Sequence, residues 1–170
     1  MVILQSLLSF PTVVVGLILY LLLTRRGPLG SFELLFTQDA MIIGQAIIAF
    51  PVLAAFTLAA VQGADARIRE TALSLGAGRF NAAVTTLREV RFSVLAGVLN
   101  GFGRVISEVG CSMMVGGNIA GLTRNMPTAI ALETSKGEFA LGIALGAVLM
   151  VFAFGVNMSL AYLQGQGSTR

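Results

Sequence analysis

Residues 65–91 read DARIRETALSLGAGRFNAAVTTLREVR, a charged stretch between segments that are almost free of charge. The stretch holds five of the eleven basic residues of the chain, together with three acidic ones. At its centre, ETALSLG (70–76) predicts a short helix that ends at Gly76 and is followed by Ala77 and Gly78. Because charged helices of this kind belong in water, we interpret residues 62–91 as a docking loop for a partner that this chain lacks.

The composition on either side of this loop is that of an integral membrane protein. Of the 170 residues, 56% are hydrophobic and 11% are charged, whereas soluble domains average about 25% charged residues. Three uncharged runs, residues 3–23, 41–61 and 139–163, are each long enough to cross a hydrocarbon layer about 30 Å thick. A fourth run, residues 92–117, contains Arg104 and Glu108. The sequence therefore predicts an all-α fold, a polytopic helical bundle with about four transmembrane helices in a single domain, residues 1–170.

The basic residues that flank these spans predict an orientation and a location. With residues 62–91 in the cytoplasm, six basic residues lie inside and four outside, so the positive-inside rule favours this arrangement by a small margin. Although the net charge is +3, the basic residues flank the spans and do not form a basic and aromatic patch suited to nucleic acid. We expect a multi-pass protein of the plasma or inner membrane.

Several kinds of chemistry are excluded by the residues that are missing. The chain has no histidine and one cysteine, so we expect no transition-metal site, no disulfide and no histidine-based catalytic triad. No phosphate-binding loop of the Gly-Lys-Ser/Thr type occurs. We therefore expect no catalytic residues, no enzyme activity and no cofactor. Met1 leads directly into apolar sequence, so we expect no cleavable signal peptide and a shortened N-terminus.

Local patterns predict the ends and faces of the helices. Asp65 is the expected N-cap of the first loop helix, on which Ile68, Ala72 and Leu75 share one face. In the second loop helix, Phe80, Val84 and Leu87 have the same spacing. Near the middle of two spans, Pro11 and Pro51 predict either bends that improve packing or hinges beside a translocation path.

Two charged residues in the fourth run are the main candidates for a polar path through the membrane. Arg104 and Glu108 are four residues apart, hence neighbours on one face of a continuous helix. One interpretation is a self-neutralising pair that fixes helix packing, and another is a gate or an anion-attracting point. A third is that the span ends earlier and both groups are in water. Asn100 and Ser107 fall on roughly the same side as Arg104 and favour a polar lining.

Residues 116–138 are too polar to cross a membrane. They predict a loop and a short amphipathic helix that begins after Pro127, on the side opposite the docking loop. In this loop, Asn118, Thr123, Arg124 and Asn125 either receive an anionic solute or are simply solvated.

Four motifs together resemble a known family. Glu70-Thr71-Ala72, followed after three residues by Gly76, resembles the EAA loop of ABC importer permeases, the membrane subunits of binding-protein-dependent uptake systems. The stretches GFGRVISEVG (101–110), MMVGGNI (113–119) and LETSKGEFA (132–140) are similar to the tungstate-type branch, which is close to the molybdate permeases. The resemblance covers essentially the whole chain.

This resemblance implies a type I importer fold, a function and several partners. Two permease copies, a homodimer in lipid, would form the pathway, and a cytoplasmic ABC ATPase would hydrolyse ATP. An extracytoplasmic binding protein would deliver the oxyanion. By the same resemblance, Glu70, Ala72 and Gly76 would be the coupling-loop signature. Ile68 and Leu75, which share a predicted face with Ala72, are expected to contact the ATPase with them. The polar residues of the fourth run, independently of the resemblance, make Arg104, Glu108, Asn100 and Ser107 the candidates for the translocation path or gate.

Two alternatives to tungstate transport remain open at this point. The first is a permease for molybdate, sulfate or another solute. The second is a membrane anchor or interaction protein without a pathway, against which the polar pair Arg104 and Glu108 argues.

Overall fold

The computed structural model of the chain describes residue 6 and residues 8–167. All regular secondary structure in this part of the chain is helical. A short 3₁₀ turn, Gly30–Phe32, lies between the first two helices. The α-helices are α1 Thr12–Leu23, α2 Gln38–Gln62, α3 Ala66–Ser74, α4 Arg79–Glu89, α5 Arg91–Ile106, α6 Gly110–Gly116, α7 Met126–Ser135 and α8 Phe139–Gly167.

The long apolar helices confirm two of the predicted spans and correct the other two. Of the described helices, α2 and α8 are each long and apolar enough to cross a membrane. The predicted span 92–117 is broken rather than continuous: α5 and α6 are separate helices bent by 58°, and the pair counts as a third crossing when taken together. The predicted span 3–23 holds a helix of 12 residues that begins after Pro11, so Pro11 is an N-cap residue rather than a mid-helix kink. Residues 3–5 and 7 of that span lie outside the described residues.

Close glycine contacts hold α2 against the broken pair α5 and α6. A Cβ built on Gly97 would lie 2.5 Å from Cβ of Phe56, and one built on Gly101 would lie 3.3 Å from the Leu53 side chain. Further along, Gly116 meets the Met41 side chain in the same way. Along these contacts the residue numbers rise from 97 to 116 in α5 and α6 and fall from 56 to 41 in α2. The pair α5 and α6 therefore runs antiparallel to α2. The small residues of α5 therefore serve packing inside the bundle.

The buried core lies where α1, the first half of α2 and α6 meet. Leu19 and Leu23 of α1 pack there with Met41 and Ile48 of α2, and Cys111 and Val115 complete the cluster from α6. Gly16 and Gly44 let the neighbouring helices approach Cys111 closely.

The last two helices, α7 and α8, pack against each other as a hairpin. Helix α7 begins at Met126, one residue before Pro127, because Asn125 and Thr128 form a capping box at its N-terminus. Gly142 of α8 lies against Thr134 of α7. Helix α8 also contacts α5, but most of its surface within residues 139–159 is uncovered, since only 6% of its apolar window is buried. Such a face meets lipid or another protein in the membrane.

Candidate functional site

The charged loop consists of the helices α3 and α4, which pack against each other. Asp65 has an extended backbone and its Oδ1 accepts a hydrogen bond from the Arg67 N–H at 2.9 Å. This is the N-cap arrangement expected from the sequence, because a short side-chain acceptor satisfies one of the free amides of the first turn. The prediction for Asp65 is confirmed.

Gly76 ends α3 in a left-handed conformation, with φ of +84°. The N–H of Gly76 donates to the Leu73 carbonyl and the N–H of Ala77 donates to the Ala72 carbonyl, both at 3.0 Å. These two bonds define a Schellman motif, which satisfies the last carbonyls of the helix and favours glycine at its left-handed position. The chain thereby reverses sharply between α3 and α4.

The tip of this loop is apolar and exposed. Leu75 and Phe80 flank the turn, with 83% and 80% of their surface accessible. Ile68 and Ala72 are half-buried, whereas Glu70 and Gly76 are exposed. Leu75 departs from the predicted common face with Ile68 and Ala72, because the helix ends at Ser74 and Leu75 is its C-cap residue.

The second loop helix differs from the prediction in a similar way. The residues of α4 that are buried are Ala82 and Thr86, while Phe80 and Leu87 are exposed and Val84 is half-buried. Small residues form the inner face because α4 packs closely on its neighbours. The expected apolar face is therefore largely an outer surface, which the spacing of the residues did not reveal.

The break between α5 and α6 has a side-chain cap on each end. The Ser107 hydroxyl donates to the carbonyls of Gly103 at 3.0 Å and Arg104 at 3.2 Å, which are among the last carbonyls of α5. Oε1 of Glu108 accepts a hydrogen bond from the Cys111 N–H at 3.0 Å, in the first turn of α6. These caps replace backbone bonds that a continuous helix would have made.

Of the three interpretations of Arg104 and Glu108, the self-neutralising pair does not occur in this conformation. The prediction assumed one helix, whereas Arg104 belongs to the last turn of α5 and Glu108 follows its end. Glu108 is 6% exposed and its carboxylate faces the first turn of α6. The Arg104 guanidinium has no hydrogen bond or ion pair with any residue that the structure describes.

Arg104 lies at the edge of a large apolar cavity. The cavity has a volume of about 580 Å³, and residues of α1 and the middle of α2, including Ile18, Ile48 and Pro51, form its walls. Since Gly101 contacts Leu53 one turn away, Arg104 is level with the centre of α2. The backbone of Arg104 therefore lies level with the middle of a helix long enough to cross a membrane.

Asn100 and Ser107 share the uncovered face of α5 with Arg104. All three are exposed, and they lie beside the face on which Gly97 and Gly101 pack against α2. The Asn100 amide donates to the Ala96 carbonyl at 2.8 Å. The structure thus places three of the four predicted path residues on one exposed stripe and the fourth, Glu108, inside the protein.

The polar residues of the loop between α6 and α7 mainly hold its own backbone. Thr123 is buried, and its hydroxyl donates to the Gly116 carbonyl and accepts from the Ile119 N–H. The Asn118 amide donates to the Thr128 carbonyl at 3.3 Å, and Asn125 caps α7. Arg124 donates to the Asn118 carbonyl at 3.3 Å and is otherwise exposed. These bonds favour a structural role for the loop over a solute site.

A helical protein with several membrane crossings and a projecting charged loop defines a class of integral membrane proteins, and comparisons with known proteins identify the family. The chain is 41% identical over 162 residues to the tungstate uptake system permease protein of Peptoclostridium acidaminophilum, covering 95% of this chain and 71% of that protein. It is 46% identical over 155 residues to the tungstate uptake system permease protein of Campylobacter jejuni, covering 91% and 65%. The molybdenum transport system permease protein of Escherichia coli is 30% identical over 141 residues, covering 77% and 62%.

The chain belongs to the family of ABC transporter permease proteins. It spans about two thirds of the length of these relatives. No protein-family model matches it. As a member of this family with apolar crossing helices, it is a multi-pass protein of the cell membrane.

Proposed function

We propose that the chain is the permease subunit of a binding-protein-dependent ABC importer for tungstate or a related tetrahedral oxyanion. The observation that carries this proposal is the identity of 41% and 46% to two tungstate permeases along nearly the whole chain. ATP hydrolysis takes place on a separate cytoplasmic ATPase subunit, and the chain itself is not an enzyme. An extracytoplasmic binding protein delivers the anion.

Contact with the ATPase is made by the loop of α3 and α4, residues 62–91. Leu75 and Phe80 at its tip support this assignment, because two large apolar side chains exposed beside a rigid turn are suited to a protein groove. Glu70 and Gly76 are exposed and available for the same contact. Ile68 and Ala72 are half-buried and act by holding α3 against α4.

The pathway is lined by the exposed stripe of α5, which holds Asn100, Arg104 and Ser107. A polar stripe at this depth is costly in lipid, since one charged side chain at the membrane centre costs at least about 2.5 kcal/mol. A second copy of the chain, related by symmetry, provides the opposite wall and shields the stripe from lipid. The uncovered surface of α8 then faces lipid. Glu108 acts as a gate from within the break.

Uptake by the reconstituted system tests this function. The chain, its ATPase and its binding protein are placed in proteoliposomes, and accumulation of radiolabelled tungstate is measured with ATP. We expect ATP-dependent accumulation that unlabelled tungstate abolishes. Stronger competition by molybdate or sulfate would assign one of those anions instead, as the relation to the Escherichia coli molybdenum permease allows. A membrane anchor without a pathway would give no accumulation of any anion.

A further inference from the structure

The break between α5 and α6 separates two opposite charges that a straight helix would join. Arg104 and Glu108 are four residues apart, the spacing at which helical side chains pair. In this structure, the Glu108 carboxylate accepts the Cys111 N–H instead, and Arg104, which is exposed and borders the apolar cavity, has no ion-pair partner among the described residues. The cation is therefore available to an anion from outside the chain.

Straightening the break would also satisfy backbone groups that lack partners here. The N–H groups of Val109 and Gly110 lie at the N-terminus of α6, where the first amides of a helix have no intrahelical acceptor. In a continuous helix they would donate to the carbonyls of Val105 and Ile106, and the Cys111 N–H would donate to Ser107. The Glu108 carboxylate would then be released. Unpaired amides at membrane depth are unfavourable, so a continuous form is a realistic competitor to the broken one.

We propose that residues 107–109 form a switch that decides whether Arg104 binds the transported oxyanion. In the broken form, Arg104 is free and binds the tetrahedral oxyanion at mid-membrane. In the continuous form, Glu108 pairs with Arg104 and displaces the anion. This inference rests on the proposed transport of an oxyanion and adds the binding residue and the group that competes for it.

Differential binding gives the switch its direction. A ligand shifts an equilibrium between two forms only as far as it binds them unequally. The oxyanion meets a free cation in the broken form and a neutralised one in the continuous form, so it stabilises the broken form. When α5 and α6 move into the continuous form, the Glu108 carboxylate replaces the anion at Arg104. The anion is then released and Arg104 remains paired.

The variant Glu108→Gln tests the competition directly. The glutamine oxygen still accepts the Cys111 N–H, but the neutral amide does not neutralise Arg104. Equilibrium binding of radiolabelled tungstate is measured on the permease–ATPase complex in lipid nanodiscs. We expect tighter binding, by roughly tenfold if the broken form is normally one tenth populated, together with slower release and a lower uptake rate. Glu138→Gln, an exposed carboxylate outside the break, is the matched control and should bind and transport as the wild type does.

A double-mutant cycle separates the switch from two independent effects. Arg104→Gln should abolish tungstate binding, and adding Glu108→Gln to it should change nothing further, because the partner of Glu108 is gone. Two outcomes would overturn the proposal while leaving the transport function intact. One is an uptake rate of the double variant that falls by the product of the two single losses, and the other is tungstate binding that survives Arg104→Gln.

Amide hydrogen exchange gives a readout that does not depend on transport. Saturating tungstate should raise exchange at Val109 and Gly110 in the wild type, since these amides are bonded only in the continuous form. In Glu108→Gln the exchange should be high even without the anion. Equal exchange in all these states would refute the switch. A wild-type complex that neither binds nor accumulates an oxyanion would refute the proposed function as well, whatever the exchange at these amides shows.

Discussion

Gly76 shows how a single residue shapes the surface that the chain offers to a partner. Its φ of +84° is open to glycine and strained for other residues. No atom would lie within 4 Å of an added Cβ, so the requirement for glycine comes from the backbone conformation and not from space. The sequence pattern identified this position correctly, because a glycine after a helical stretch is a common stop signal.

We predict that Gly76→Ala weakens association with the ATPase. A left-handed alanine costs roughly 1 kcal/mol, which corresponds to about fivefold in an equilibrium constant. Gly76→Asn should have a smaller effect, because asparagine tolerates this conformation. The fraction of ATPase that copurifies with the tagged permease measures the change.

A neighbouring glycine provides the control for Gly76. Gly78 has φ of −64° and is the N-cap of α4, where serine is favourable. Gly78→Ser should therefore retain the wild-type amount of ATPase. Equal losses for Gly76→Ala and Gly78→Ser would contradict the conformational explanation.

At the scale of elements, the packing of α1 and α2 on α6 depends on two glycines that contact Cys111 differently. A Cβ on Gly44 would lie 2.6 Å from the Cys111 sulfur, which is a side-chain atom. A Cβ on Gly16 would lie 2.8 Å from the Cys111 Cα, which is backbone. Removing the sulfur therefore makes room at Gly44 and leaves the contact at Gly16 unchanged.

We predict that Gly16→Ala and Gly44→Ala each destabilise the protein by roughly 1–3 kcal/mol, as overpacking does in other cores. Adding Cys111→Ala should recover most of the loss for Gly44→Ala and little of it for Gly16→Ala. Thermal unfolding of the detergent-purified variants, followed by circular dichroism, measures both. Gly146→Ala, with no atom within 4 Å of its Cβ, should unfold as the wild type does. Equal recovery in the two double variants would show that the contacts at Cys111 are not the cause.

On the scale of the whole molecule, α2 sets which surfaces lie on which side of the membrane. Its 25 residues span about 38 Å, more than the hydrocarbon thickness of about 30 Å. The loop before Gln38 and the loop after Gln62 therefore lie on opposite sides, and the broken pair α5 and α6 returns the chain to the first side. The few basic residues made this orientation a weak prediction from charge alone.

We predict that Ser74 is reached from the cytoplasm and Ser31 from outside. Each is replaced by cysteine in a Cys111→Ala background, and labelling by an impermeant maleimide is compared in vesicles of both orientations. Ser74→Cys should react in inside-out vesicles and Ser31→Cys in right-side-out vesicles. Labelling of both positions from one side would contradict the arrangement of α2.

The exposed tip of the loop gives a second prediction at this scale. Leu75→Asp and Phe80→Asp should each greatly reduce copurification of the ATPase, because burying a large apolar side chain contributes about 1.5–3 kcal/mol. Phe32→Asp changes a phenylalanine that is 66% exposed in the loop before α2, and should leave the ATPase bound. Retention of the ATPase by Leu75→Asp and Phe80→Asp would mean that the partner contacts another surface.

The sequence by itself determined the membrane class, the long helices α2 and α8, and the charged loop with its caps at Asp65 and Gly76. These features depend on local composition and local hydrogen bonds, which a linear pattern contains. Only the tertiary structure decided the break between α5 and α6 and the exposure of Phe80. Helical spacing, which assumes a continuous helix, predicts that Arg104 and Glu108 are neighbours. In the fold, Glu108 instead caps α6, and α1 and α2 pack around Cys111. Those contacts join residues far apart in the chain, and helical spacing does not encode them.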